Sequence, residues 1–258
     1  MPRRSISSFV DGLRACDWNL PRTAMKHPFE AMEYAVGRRE RFGKFVAWDY
    51  ARKAVHAHSP RAPAHRDEAS LQSLRMYLAS KSGEWPKWDA SGMQYVKGPL
   101  LYHIVRLLRP DRVVETGVAS GVSSLFILKA LNENAFGSLT SIDFPNVDPE
   151  ASLPPWEKPG WIVPESLHGG WELNIGDSRQ LLPGILNRMG DIQVFIHDSL
   201  HTYDHMMWEF ETAWPHIRKG GLLLSDDAAV NDAFKDFCRQ VGCPRFLAVG
   251  FGMTRKPG

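Results

Sequence analysis

From Gly98 onward the sequence alternates short strand-length runs with longer helical ones, and no other feature limits the possible folds as strongly. Arg112–Thr116, Leu139–Asp143, Trp171–Ile175, Ile192–His197 and Gly221–Ser225 read as strands. Pro99–Leu108, Val122–Asn132, Ser178–Met189 and Tyr203–Arg218 carry the spacing of helices. Strands joined by helices in this way predict an α/β domain whose mostly parallel sheet is covered on both faces. Arg245–Arg255 adds two short strands around Gly250 and Gly252.

The first 92 residues have a different texture, rich in Arg, His, Trp and Ala. Helical spacing recurs in Glu30–Arg41 and Ala69–Lys81, separated by the polar stretch His56–Asp67 with Pro60 and Pro63. The expected organisation is a helical N-terminal extension or cap over 1–92 and the α/β domain over 93–258. The extension carries no catalytic constellation and suits packing, cleft capping or a homo-oligomer contact. Phe144–Gly170 is irregular, with six prolines and with Trp156, Trp161 and Trp171 in or beside it. A segment of that length inside a compact domain is usually functional or disordered, and its tryptophans favour an ordered lid.

Composition removes several classes of function. A net charge of +2 gives no electrostatic case for nucleic acid. No stretch approaches the roughly 18 apolar residues of a membrane span. Cys16, Cys238 and Cys243 lack both a disulfide framework and zinc-ligand spacing, so all three read as reduced thiols. Arg3 and Arg4 hint at an export signal, but Ser5–Asp17 lacks the apolar run that one needs. A cytoplasmic protein with no membrane partner is expected.

The first strand runs directly into Glu115-Thr116-Gly117-Val118-Ala119-Ser120-Gly121, and a helix follows. Glycines there allow a tight turn and close approach of a ligand. A dinucleotide turn would carry a third glycine and would set a pyrophosphate on the helix N-terminus. Here that glycine is missing, and Glu115 would repel a pyrophosphate while suiting a ligand with a positive amino group. Asp143 closes the next strand about 20 positions past Gly121, the separation of a ribose-binding acid.

Two further acidic groups follow strands. Ile192–His197 leads into Asp198-Ser199-Leu200-His201, and Gly221–Ser225 leads into Asp226-Asp227. In an open parallel sheet, ligands bind at these carboxyl ends. Three carboxylates in one cleft repel unless protonated or met by a cation. Oxygen ligands of this kind suit Mg²⁺ or Mn²⁺, held by Asp198, Asp226 and Asp227. The bland alternative makes Asp198 a cofactor-edge residue and has the Asp226-Asp227 pair merely cap the following segment. His201, at the cleft mouth, can accept a proton near neutral pH. His197 reads as filling space beside the cofactor, and His205 and His216 as packing or surface residues.

Glu115–Gly121, Asp143 and Gly176-Asp177-Ser178 together resemble the successive cofactor motifs of class I S-adenosylmethionine methyltransferases, over roughly Gln94–Gly252. The resemblance implies a Rossmann-like, doubly wound sheet. It implies that Glu115, Gly117 and Gly121 hold the methionine end, with Ser123 also among the cofactor-binding residues. Asp143 would hold the ribose, and Asp177 with Ser178 would border the adenine. The turn departs from the family's pattern at Ala119, which replaces a glycine.

Asp198-Ser-Leu-His201 and Asp226-Asp227 also resemble the metal-dependent O-methyltransferases that act on sugar hydroxyls of macrolides and related products. The implied reaction moves a methyl group to a hydroxyl of a sugar or small natural product, with Asp198 and His201 at the reacting centre. Two rivals remain. Cephalosporin hydroxylase-like proteins resemble the same family, and His197, Asp198 and His201 offer the two histidines and one carboxylate that suit Fe(II). The other rival is a non-catalytic binding protein that reuses the cofactor fold.

Overall fold

The computed structural model describes residues 51–52, 55, 68–81, 96–144, 157–248 and 250–258. The expected helix Glu30–Arg41, the stretch His56–Asp67, the boundary at 92/93 and Trp156 lie outside these residues.

The chain order is helix α1 (Glu68–Lys81), helix α2 (Gly98–Leu108), strand β1 (Arg112–Thr116), helix α3 (Val122–Asn134) and strand β2 (Ser138–Asp143). Then come a 3-10 turn (Glu165–Gly170), β3 (Trp171–Ile175), α4 (Ser178–Met189), β4 (Ile192–His197) and α5 (Tyr203–Ala213). A second 3-10 turn (Trp214–His216), β5 (Ile217–Ser225), α6 (Ala233–Gln240), β6 (Arg245–Ala248) and β7 (Phe251–Arg255) complete it.

These strands form one seven-stranded sheet in the order β3-β2-β1-β4-β5-β7-β6. The first five are parallel, and β7 and β6 add as an antiparallel hairpin. This is the mostly parallel, Rossmann-like sheet expected. The connections run one way from β1 through β2 to β3 and the other way through β4 to β5. The switch point therefore lies between β1 and β4, where a crevice opens at the strands' carboxyl ends.

Alternation along the strands splits the core into two layers. Val113, Leu139, Val194, Ile196, Leu222 and Leu224 pack with α1, α2 and α3. Val114, Ile142, Phe195 and Leu223 pack with α4, α5 and α6. The same parity decides what each strand end presents. Glu115, Asp198 and Asp226 continue toward the α2–α3 face, whereas Thr116 and His197 continue toward α5.

Three elements differ from the sequence expectation, one of them β5, which starts at Ile217 rather than Gly221. The helix expected over Tyr203–Arg218 stops at Ala213. Pro215 has no N–H and would crowd the carbonyl four residues back, so the chain tightens into a 3-10 turn and enters β5 at Ile217. Helix α6 is an addition, with Phe234, Phe237 and Cys238 buried at helical spacing.

The described end of the expected lid is docked. Gly160 N–H donates to Ala119 O (2.8 Å) and Ile162 N–H to Ser120 O (3.3 Å). Ile162 and Val163 are buried, and Tyr77 Oη donates to Ile162 O from α1. Residues 160–163 therefore lie on the glycine turn. No described helix is long and apolar enough to cross a membrane.

Candidate functional site

The turn after β1 is built against protein backbone on two sides. Gly117 has φ +83°, and a Cβ there would stand 1.9 Å from the carbonyl oxygen of Asp198. Gly121 has φ +93°, and its Cβ would stand 2.7 Å from Gly160 Cα. The glycines are thus required by the β4–α5 loop and by residues 160–163, before any ligand enters. Gly117→Ala should destabilise the fold by about 2–5 kcal/mol, from left-handed strain plus overpacking. Thermal melting without added ligand reads this, and an unshifted midpoint would refute it.

Glu115 is sealed from solvent beneath this turn. It accepts hydroxyl hydrogen bonds from Ser123 (2.6 Å), Ser124 (2.6 Å) and Ser141 (2.8 Å). Burial raises its pKa, the three hydroxyls oppose that, and Asp143 adds to the rise. Glu115 and Ser123 therefore brace the turn from below, and Glu115 does not present an open charge in the cleft. Asp143, at the end of β2, reaches across the turn, and its Oδ2 accepts from Ala119 N–H at 2.7 Å. Burial raises its pKa, against backbone N–H groups of Ala119, Val118 and Phe144. Ala119 itself is left-handed (φ 46°), the position where the family's glycine is replaced.

At the next corner Asp177 caps α4, its Oδ1 accepting from Arg179 N–H at 2.8 Å. Ser178 is buried, with Oγ 3.2 Å from His205 Nε2.

The acids after β4 and β5 do converge. One ligand atom each from Asp198, His201 and Asp226 lie within 4.8 Å of one another, the one such group among the described residues. The sequence expectation had Asp227 in this set and His201 outside it. Asp227 instead takes a left-handed backbone (φ 43°), and its side chain is about half exposed. The carboxyl of Asp198 is held well above its usual range by burial and by Asp226, with Lys97 working against the rise. His201 Nε2 is buried without a hydrogen-bond partner and stands 3.8 Å from Asp198 Oδ1. Burial, then His197, lowers the pKa of His201, while Asp227 and Asp226 oppose this.

Sequence reasoning missed two residues here. Lys97, entering α2, puts Nζ 2.5 Å from Asp226 Oδ1 and 3.6 Å from Asp227 Oδ1. Burial opposes its charge, but Asp226, Asp227 and Asp198 hold its pKa above the ordinary lysine value. A lone lysine ahead of a helix carries no spacing signal, so nothing in the sequence linked it to acids over 100 positions away.

Glu209 on α5 is the second. It is fully buried and takes four donors. Thr116 Oγ1 (2.6 Å) and His197 Nδ1 (2.7 Å) meet Oε2; Ser199 Oγ (2.9 Å) and His205 Nε2 (2.9 Å) meet Oε1. A carboxylate can only accept, so His197 carries a proton on Nδ1. His197 and His205 are therefore members of one buried network, not space-fillers. Glu209 was legible in part, because it follows His205 by four residues within the buried face Met206, Phe210 and Ala213. The Fe(II) set of His197, Asp198 and His201 does not assemble. Asp198 turns to the α2–α3 face, while His197 turns to Glu209 on the other.

The donors present fit a divalent ion: two carboxylates too close to carry charge unaided and one imidazole nitrogen with no partner. Lys97 already compensates part of that charge.

Residues 114–228 match the model of a family described as a methyltransferase domain. Among solved structures, the chain resembles the O-methyltransferase TomG of Streptomyces achromogenes, involved in tomaymycin synthesis and solved with S-adenosylmethionine. Identity is 18%, coverage 73% of this chain and 90% of that one, and the TM-score 0.51. It also resembles cofactor-bound Rv0187 from MTB, at 14% identity, 75% and 92% coverage and a TM-score of 0.51. At these identities the likeness is one of fold. No curated protein matches the sequence.

Proposed function

We propose that this chain, whose residues 114–228 match a methyltransferase-domain family, moves a methyl group from S-adenosylmethionine to a hydroxyl of a sugar or small natural product. One observation carries the reading. The Asp198 carbonyl sits against Gly117 so closely that a Cβ could not fit between them. The loop bearing Asp198 and His201 is thus one wall of the cofactor turn, so a methyl donor on the turn would face an acceptor at the acids. TomG, an O-methyltransferase with the same fold, supports oxygen as the acceptor.

In this reading Asp143 holds the ribose hydroxyls, exchanging its present bond to Ala119 for a shared one. The turn N–H groups and Gly117, with Glu115 and Ser123 bracing them, seat the methionine end. Asp177 and Ser178 border the adenine. A Mg²⁺ or Mn²⁺ ion held by Asp198 and Asp226, with Asp227 beside them, would bind the acceptor hydroxyl and lower its pKa. His201 takes the hydroxyl proton at Nε2. The C–O bond forms as the C–S bond breaks in line, and the sulfonium leaves as a neutral thioether. The positive charge passes from sulfur to the His201 imidazolium, which lies beside Asp198, and the site's further task is alignment.

The test is cofactor binding by calorimetry. Asp143→Ala should weaken S-adenosylmethionine by about tenfold or more, the worth of a charge-assisted hydrogen bond. Unchanged affinity in a variant that melts like the wild type would remove Asp143 from the cofactor site. Methyl transfer to a panel of sugar and phenolic acceptors, followed with labelled methyl, tests the reaction itself.

A further inference from the structure

We propose that Lys97 is a built-in cation of the acid cluster, whose ammonium a divalent ion must displace in order to bind Asp226. This rests on reading the cluster as a metal site.

Three observations carry it. Lys97 Nζ lies 2.5 Å from Asp226 Oδ1 and 3.6 Å from Asp227 Oδ1, so it touches the two acids that follow β5 at once. Asp226 is one of the three residues close enough to share an ion. The carboxylate that Lys97 grips is therefore one that the ion would need. Thirdly, the Lys97 side chain keeps 18% of its exposure, so the ammonium has solvent to move into. The β6–β7 turn passes beside it, such that a Cβ on Gly250 would stand 3.9 Å from Lys97 Nζ and from Asp227 Oδ1.

Electrostatics then sets the direction of the effect. With Lys97 in place the acids are partly neutralised, and Oδ1 of Asp226 is already taken. An ion arriving there meets a like charge at contact distance, and at such separations Coulomb terms are large even near a protein surface. Lysine suits this role because its charge is compact and its four-carbon stem flexible. The head can swing aside without moving α2.

Mn²⁺ titration of the full chain, followed by the loss of the free-ion paramagnetic resonance signal, tests this. Lys97→Met should bind Mn²⁺ roughly tenfold tighter or more, and Lys97→Arg, which keeps the charge, should stay near wild type. Lys97→Gln serves as a second neutral variant should the methionine form fold poorly, with S-adenosylmethionine affinity as the check of an intact fold. If the wild type binds Mn²⁺ and both neutral variants bind it no tighter, the competition is refuted while the metal site stands. If Mn²⁺ at millimolar concentration binds neither wild type nor neutral variants, the metal reading falls and the competition with it. Adding Asp226→Asn to Lys97→Met should abolish the tight binding; retention would place the ion elsewhere and refute the proposal.

Discussion

Replacing Glu209 by alanine should destabilise the fold by about 3–5 kcal/mol, the usual cost of removing one partner from a buried charged network. Glu209 has no exposure, and its two oxygens receive donors from the end of β1, the end of β4, the loop after β4 and α5 itself. Alanine would leave Thr116, His197, Ser199 and His205 with polar groups facing a cavity. Glu209→Gln keeps the volume but presents an amide that donates where donors already point, so a smaller loss of about 1–3 kcal/mol follows. The pH dependence has a definite sign. Burial disfavours the charge of Glu209, but the hydrogen bonds of His197 and His205, the His197 charge and Ser178 hold its pKa well below the usual carboxylate range. A carboxylate depressed on folding stabilises above its unfolded pKa of about 4.3, and that contribution is lost as pH falls below it. Between pH 6 and pH 3, wild type should lose stability faster than Glu209→Gln. Urea unfolding at several pH values reads both effects. Equal midpoints for wild type and alanine would mean that the four donors find other partners.

What the sequence revealed and hid follows from the range of the interactions. The strands were legible because residues facing two core layers alternate, and β1, β3 and β4 begin and end where their apolar or turn residues predict. Local chemistry also placed Asp143, Asp198 and Asp226 at strand ends. The end of α5 was hidden because Trp214 and Ile217 continue an apolar rhythm that Pro215 interrupts sterically. The reason for Gly117 and Gly121 was hidden too: their neighbours are the backbones of Asp198 and Gly160, which only the folded chain brings near. Glu115 read as an open charge because strand-end position says nothing of three serines gathered from α3 and β2. Lys97 and the four-way grip of Glu209 are contacts between distant segments, for which no periodicity exists.

His201→Ala should lower kcat by roughly 10²–10⁴-fold while leaving S-adenosylmethionine affinity nearly unchanged, if this imidazole takes the acceptor's proton. The structure brings its Nε2 into the acid cluster, buried and without a hydrogen-bond partner, 3.8 Å from Asp198 Oδ1. Burial and the neighbouring His197 favour its neutral form, the form that can accept a proton. The same position suits a metal ligand, and one nitrogen cannot hold an ion and a proton together. Two measurements on the variant separate these roles. A base leaves Mn²⁺ affinity within a few-fold of wild type, and excess metal does not restore kcat. A ligand loses Mn²⁺ affinity in step with activity, and saturating metal recovers much of the rate. Ser199 and His205 are bound to Glu209, so the loop that carries His201 should keep its path when the imidazole is removed. That makes the substitution a local one, and a near-normal kcat at saturating metal and cofactor would strip His201 of the base role.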